Sequence, residues 1–350
     1  MEKIVVTRNE AGQKLFKLLA KYLNAAPQSF LHKMLRKKNI TLNGKKADGS
    51  EKLCEEDEVC LFLSDETIAA FQNGEKQDTK NAGKETTQNK GGNGREKMFS
   101  DIRVLYEDED VLILNKPAGV LSQKAAADDF SVNEWVIDYL LNKKELSKEE
   151  MRTFRPSVCN RLDRNTSGIL LAGKSLSGLQ TLSLLLKERA LHKDYYCIVC
   201  GRVEQKTTIK GFLVKDERTN KVTVTKTKES PEAAYIETEY TPVRDSENYT
   251  LLRVRLITGK THQIRAHLAS EGHPLIGDRK YGSAEVNRSL QKRFGLQYHL
   301  LHAAFLAFPE KRKECGRLAG REFFASVPAL FERIAKELGV YTKQLSGIKT

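Results

Sequence analysis

In the stretch NRLDRNTSGILLAGKS, Asn160 to Ser175, one carboxylate, Asp163, stands between Arg161 and Arg164 just ahead of an apolar run. Neighbouring guanidinium charge keeps a carboxylate ionised. The small residues Thr166, Ser167 and Gly168 permit a tight turn that leaves the acid at a strand's entrance. Two readings are open at this point: an acid presented for chemistry, or a turn aspartate paired with a flanking arginine. The same letters make a competing promise, because from Gly168 onward G-I-L-L-A-G-K-S satisfies the phosphate-loop pattern. A working phosphate loop follows a buried strand and opens a helix whose free N–H groups face the phosphates. Here the polar RLDRNTS comes first, and Ile169 to Ala172 between the glycines read as a strand, so the order is wrong.

Other chemistries fare worse. Cys197 and Cys200 lie three apart in a segment that reads as a strand, where residues three apart point to opposite faces and cannot share a metal ion. His262 and His267 are five apart on an expected helix, a poor spacing for shared ligation. The zinc deaminase pattern H-x-E followed by P-C-x-x-C is absent. No metal site is expected.

Positioning these residues is the work of a 350-residue chain, long enough for about two domains. Lys and Arg number 59 against 46 acidic residues, a formal charge of +13 that favours an anionic partner, nucleic acid first. A membrane is not expected, since there is no apolar run of spanning length. The start MEKIVVTRNE does not read as an export signal, so the six cysteines are expected to be reduced thiols of a cytoplasmic protein. The expected state is a monomer.

Residues 64–98 are rich in Gly, Asn, Gln, Lys and Thr and poor in large apolar side chains, which reads as a flexible linker. It separates a small domain, 1–63, from a large one, 99–340. In the small domain GQKLFKLLAKYL and QSFLHKMLRKK have helical periodicity. The segments ITLNGKK and DEVCLFL read as strands, with Asn43-Gly44 a hairpin turn. Six basic residues, Lys33, Arg36, Lys37, Lys38, Lys45 and Lys46, gather on one helix end and this hairpin with no acid among them, an arrangement suited to RNA.

The large domain mixes strands and helices without a regular strand-helix-strand repeat. Strands are expected in RVLYEDEDVLILNKPAG, GILLAG, KDYYCIVCGRV and YTLLRVRLI, and helices in SVNEWVIDYLL, LSGLQTLSLLLKERA, THQIRAHLAS and ALFERIAKEL. That pattern predicts an α+β fold with a mixed, largely antiparallel sheet, flanking helices and a central cleft. Ser131 and Glu134 form a capping box at the start of one helix.

Together these residues resemble a known family. NRLDRNTSGILLAGKS is similar to the catalytic motif of the RluA-type pseudouridine synthases, usually H-R-L-D-x-x-T-S-G. YEDEDVLILNKPAG, HKDYYCIVCG, LLRVRLITGKTHQIRAHLASEGHPLIGDRKYG and LHAAFLAFP resemble further segments of the family, in its order, across residues 99–335. The small domain resembles the alpha-L RNA-binding domain, with Gln13-Lys14-Leu15 where Arg-Leu-Asp is usual. An alpha-L domain ahead of this catalytic domain is typical of members that modify large-subunit ribosomal RNA.

The resemblance implies conversion of uridine in RNA to pseudouridine without metal or cofactor. Asp163 matches the catalytic aspartate, Tyr195 the tyrosine that packs on the target base, and Arg265 the arginine that pairs with the aspartate. Arg161 matches the arginine that helps hold the nucleotide out of the stack, and Lys116, Lys260, His262 and Gln263 fall in motifs expected on the RNA side. Two positions depart from the pattern: Asn160 replaces the customary His, and Lys260 replaces an Arg, keeping charge but losing bidentate geometry. Two other classes remain open: a catalytically silent RNA-binding factor, and a nucleotide-dependent RNA enzyme using Gly173-Lys174-Ser175.

Overall fold

The computed structural model describes residues 1–72, 99, 101–126, 128–216, 219 and 221–347. The small domain is a four-stranded antiparallel sheet in the order Glu2–Val5, Glu58–Leu61, Ile40–Leu42, Lys45–Lys46. Helices Leu15–Tyr22 and Gln28–Arg36 cover it, burying Leu15, Leu18, Leu19, Leu31, Met34 and Leu35 in one apolar cluster. Asn43 and Gly44 both have positive φ, 50° and 71°. That is the backbone a tight two-residue hairpin demands.

The expected linker needs correction at its start. Asp65–Gln72 is a helix whose Ile68 and Phe71 pack onto the small-domain cluster. Two apolar side chains three apart give one buried stripe, enough to dock a segment that is polar on average. The remainder of the expected linker, 73–98, lies outside the described residues.

The large domain is built on a mixed sheet of eleven strands. Across it lie Lys221–Thr225, Thr207–Asp216, Ala234–Asp245, Tyr249–Leu256, His192–Cys200, Leu301–Ala307, Ser167–Gly173, Val111–Lys116 and Arg103–Glu107. Ser157–Val158 and Glu322–Phe324 pair beside Ser167–Gly173 and Leu301–Ala307. Every pairing is antiparallel except one, Leu301–Ala307 with Ser167–Gly173. Alternate residues fill opposite faces: Leu112, Leu114, Leu170 and Cys197 enter one core, and Val111, Ile113, Ile169 and Leu171 another. Burial on both faces is why these strands read as unbroken apolar runs. Helices Val132–Asn142, Leu176–Lys187, Gln263–Ser270, Ala284–Phe294 and Ala329–Glu337 flank the sheet, the first opening on the Ser131–Glu134 capping box.

The two domains touch through the turn before the first small-domain helix. Arg8 Nη1 lies 2.6 Å from Glu109, Leu176 N–H donates to Asn9 O at 3.3 Å, and the Thr153 hydroxyl meets the buried Glu10 carboxylate. No helix among the described residues is long and apolar enough to cross a membrane.

At the parallel joint the backbones come very close. Gly168 has φ of +113°, and a Cβ there would lie 2.2 Å from Ala303 O. Beside it the Ser167 hydroxyl bonds His302 Nδ1 at 2.8 Å, and His302 Nε2 bonds Ala325 O at 2.9 Å. Gly168→Ala adds both a clash and an unfavourable φ, so unfolding free energy should drop by at least about 2 kcal/mol. A urea midpoint equal to wild type would contradict this packing.

Candidate active site

Asp163 sits in the loop that feeds strand Ser167–Gly173, and its neighbours on both sides are clasped. The Ser122 hydroxyl donates to Leu162 O at 2.9 Å and accepts Leu162 N–H at 3.0 Å. Arg164 O accepts Gly119 N–H at 2.8 Å and the Lys116 ammonium at 3.1 Å. Thr166 N–H closes the turn onto Asp163 O at 3.0 Å. The Asp163 backbone therefore has little freedom, while its side chain remains 26% exposed.

Its carboxylate is met by a guanidinium. Arg265, in the first turn of helix Gln263–Ser270, donates from Nη1 to Asp163 Oδ2 at 2.9 Å. The other edge of Arg265 forks onto Asp278, with Nε to Oδ2 at 2.7 Å and Nη2 to Oδ1 at 2.9 Å. Asp278 is wholly buried. Burial alone would push its carboxyl up, but the hydrogen bonds and charge of Arg265 hold it below the usual carboxylate range. Burial works against the Arg265 charge, yet its two carboxylate partners push its pKa up.

His262 occupies the left-handed region, φ 55° and ψ 15°, at the start of that helix. Such a conformation in a non-glycine residue persists only where surrounding contacts enforce it. Here the contact is Tyr281, whose hydroxyl pairs with His262 Nδ1 at 3.0 Å and accepts Val222 N–H at 2.9 Å. This leaves His262 Nε2 3.9 Å from Asp163 Oδ2. Burial lowers the pKa of His262, with Asp163 opposing. His299, bonded to the Thr166 hydroxyl at 2.9 Å, is pushed down to about 4 by burial and stays neutral at pH 7.

These groups open onto a cleft of about 1170 Å³. Eight lysines and arginines line it, Arg161, Arg164, Arg255 and Lys260 among them, against two carboxylates, Asp163 and Glu239. Such a field suits a polyanion. Tyr195 lines the same cleft, whereas Tyr196 packs in a separate apolar cluster with Ile198, Leu251 and Phe331 and donates to Gln344 at 3.4 Å. Burial, and then the Asp163 charge, push the Tyr195 phenol's pKa up, so at neutral pH it is un-ionised.

The structure thus brings Asp163, Tyr195, Arg265, Arg161, Lys260 and His262 together. Two expected RNA contacts are corrected. Lys116 is fully buried and spends its three ammonium donors on the carbonyls of Pro117, Val120 and Arg164, at 2.9, 2.8 and 3.1 Å. Gln263 is also buried. It accepts from Thr258 and Lys260 N–H and donates to Glu237 O and Thr238, so it shapes the 258–263 loop from inside. Asn160 lines the cleft and accepts Leu171 N–H at 2.8 Å.

The Gly173-Lys174-Ser175 reading is corrected too. Ser167–Gly173 is a buried central strand. Lys174 is held 2.6 Å from both Glu107 and Glu145, and Ser175 caps its helix. No phosphate cradle remains there. Asp278, Tyr281, His299 and Ser122 escaped the sequence reading. Only the acid thirteen residues beyond Arg265, in a loop, could have hinted at the first.

A family model described as RNA pseudouridylate synthase matches residues 110–270. The ribosomal large subunit pseudouridine synthase C of Escherichia coli (strain K12) is 30% identical over 317 residues, spanning 87% of this chain and 88% of that protein. Its Yersinia pestis namesake is 29% identical over 316 residues, with 87% of each covered. Among solved structures, human RNA Pseudouridylate Synthase Domain Containing 4 aligns with a TM-score of 0.57 at 21% identity, over 72% of this chain and 98% of that one, a likeness of fold.

Because Lys116 braces the Asp163 loop from within, Lys116→Met should lower stability by about 1–3 kcal/mol through unpaired carbonyls. The salt dependence of RNA binding should be unaffected. Lys260→Ala should do the reverse, leaving stability near wild type and flattening the slope of log affinity against log salt by roughly 0.7–0.9. Melting curves and binding titrations across a salt series separate the two, and a flattened slope for Lys116→Met would mean its ammonium reaches phosphate after all.

Proposed function

As the chain belongs to the RNA pseudouridylate synthase family and is an RNA pseudouridine synthase, an isomerase, we propose that it acts on uridine in large-subunit ribosomal RNA with Asp163 as the catalytic carboxylate. One observation carries the residue assignment. Asp163 is a partly exposed carboxylate in a strongly basic cleft, held by a buried arginine and sharing that cleft with a neutral tyrosine.

The chemistry follows from that arrangement. A uridine inside a helix cannot present its ribose to a carboxylate set in a cleft, so the nucleotide leaves the stack at a cost of a few kcal/mol, offset by stacking and phosphate contacts. Arg161 and Lys260, both exposed at the cleft, are placed to hold the backbone of that nucleotide. The isomerisation breaks the bond from C1′ to N1 and makes one from C1′ to C5; N1 gains a proton and C5 loses one. Asp163 starts it either by attacking C1′ or by taking the 2′ proton, and both routes use an ionised oxygen. Tyr195 stacks on the uracil as a neutral phenol. A proton from C5 can pass through its oxygen only as a relay, the phenol giving up its own proton as it takes another.

The substrate class rests on two supports. The relatives are named for the large ribosomal subunit, and the small domain carries Lys33, Arg36, Lys37, Lys38, Lys45 and Lys46 all exposed. Contacts from these six to phosphates would anchor a large structured RNA while the cleft works on a nearby uridine.

Asp163→Asn keeps size but removes the charge, and should reduce tritium release from RNA labelled at uridine C5 by at least about 10³-fold at enzyme excess. Turnover near wild type would refute the assignment. Tyr195→Phe should keep RNA affinity and lose most turnover, while Tyr196→Phe, on the far face, should stay within a few-fold of wild type. The opposite ranking in the same assay would place the working tyrosine on the wrong side of its strand.

A further inference from the structure

The first N–H groups of a helix have no partner within it. At helix Leu176–Lys187 the Leu176 N–H donates to a carbonyl of the other domain, Asn9 O, at 3.3 Å. Asn9 Nδ2 also donates to Glu150 Oε1 at 3.4 Å. On one side of Asn9, Arg8 reaches Glu109 and Asp110 at 2.6 and 3.5 Å. On the other, Glu10 Oε1 accepts the Thr153 hydroxyl, with the two residues only 3% and 2% exposed. Glu10 Oε2 meanwhile accepts Thr7 N–H at 2.9 Å and closes its own turn. Three consecutive residues, 8 to 10, thus fasten one domain to the other.

That joint stands at the far end of two stiff elements from the cleft. Asp110 O accepts Lys174 N–H at 2.8 Å, its carboxylate holds the Ser175 hydroxyl, and a Cβ on Gly178 would collide with its carbonyl. The helix is therefore wedged against this corner. It runs for 12 residues, a length of about 18 Å, and near its end Leu185, Leu186 and Arg189 line the cleft. Strand Val111–Lys116 leaves the same corner and spans about 20 Å, delivering Lys116 to the Asp163 loop. On the other side of the joint the path to the basic hairpin is short. Val6 N–H donates to Asp57 O at 2.8 Å. Asn43 Nδ2 donates to Asp57 Oδ1, and Asn43 Oδ1 accepts Glu58 N–H, both at 2.8 Å. Asn43 opens the turn that presents Lys45 and Lys46, both exposed.

We propose that this joint makes the small domain a fixed ruler: phosphates gripped by the Lys45–Lys46 hairpin stand at one set distance from Asp163, and the joint thereby selects which uridine reaches the cleft. The proposal rests on the reading of the basic face as an RNA anchor. A domain on a loose tether raises the local concentration of every uridine within reach. A rigid span admits only those whose spacing from the gripped phosphates matches it. Phosphate contacts carry no sequence information by themselves, but held at a fixed distance from the acid they specify position.

The full chain carrying both Arg8→Glu and Thr153→Val is the direct probe. Three carboxylates then face one another at the corner, and Glu10 Oε1 loses its donor, a cost relieved when the joint opens and water enters. Pseudouridine mapping on transcribed large-subunit ribosomal RNA should show the ratio of preferred to other modified uridines falling by about tenfold or more. The single-turnover rate on a short uridine-containing single strand, which engages the cleft alone, should stay within about twofold of wild type. Wild-type selectivity in the double variant overturns the proposal, as does a loss that falls equally on the short strand. If the variant does not fold, the wild-type protein decides: 15N relaxation should give both domains one common tumbling time, and a shorter time for the small domain overturns the ruler. Failure of the underlying reading looks different. Lys45→Ala with Lys46→Ala would then leave RNA affinity and selectivity at wild type while the common tumbling time persists, and the ruler would fall with its anchor.

Discussion

A single guanidinium shared by two carboxylates governs the architecture around the cleft. A fully buried aspartate is untenable without a partner, because an unpaired charge in the interior costs several kcal/mol. Asp278 therefore fixes where Arg265 must be, and Arg265 fixes where helix Gln263–Ser270 starts. The strained backbone of His262 follows, since the chain must turn sharply to deliver that arginine in the first helical turn. Around this core two buried histidines are kept uncharged. His299 and His302 are both pushed down to about 4 by burial, so they add hydrogen bonds without altering the charge facing the cleft.

A second theme is that polar residues beside the cleft divide into those that face it and those that build it. Composition cannot make that division. Lys116 belongs to the builders although lysine is among the least often buried residues. Burial lowers its pKa to about 7, with the Asp163 charge opposing, and its three carbonyl partners supply what water would have given. Gln263 does the same with four hydrogen bonds and no charge. Gln263 lies one residue from His262 and three from Lys260, both of which do reach the cleft.

What was legible in the sequence depended on local chemistry. Asn43-Gly44, the Ser131–Glu134 box and the period-two separation of Cys197 from Cys200 are each decided within a few residues, and each appears as expected. The position of Asp163 at a strand's entrance was legible for the same reason. Long-range facts were not. Three carbonyls from two loops converge on Lys116 only in the folded chain, and Asp278 sits in GDRKYG, where flanking basic residues read as surface. In strands Thr207–Asp216 and Ala234–Asp245 alternate residues are buried, but Gly211 and Thr238 fill inward positions, so the apolar alternation in the sequence is muted. The helix Asp65–Gln72 was hidden by the average polarity of its surroundings.

The parallel joint between Ser167–Gly173 and Leu301–Ala307 has a consequence for how the molecule comes to be active. Side-by-side strands running the same way bring their starting ends together, and with them the loops that carry Asp163 and His299. The partners that meet there are far apart along the chain: 102 residues separate Asp163 from Arg265, and 133 separate Thr166 from His299. Closing such long loops is entropically slow, so contacts of this kind form late in folding. A chain lacking residues 299–307 would hold Asp163 and Arg265 but neither the parallel strand beside Ser167–Gly173 nor the His299 contact to Thr166.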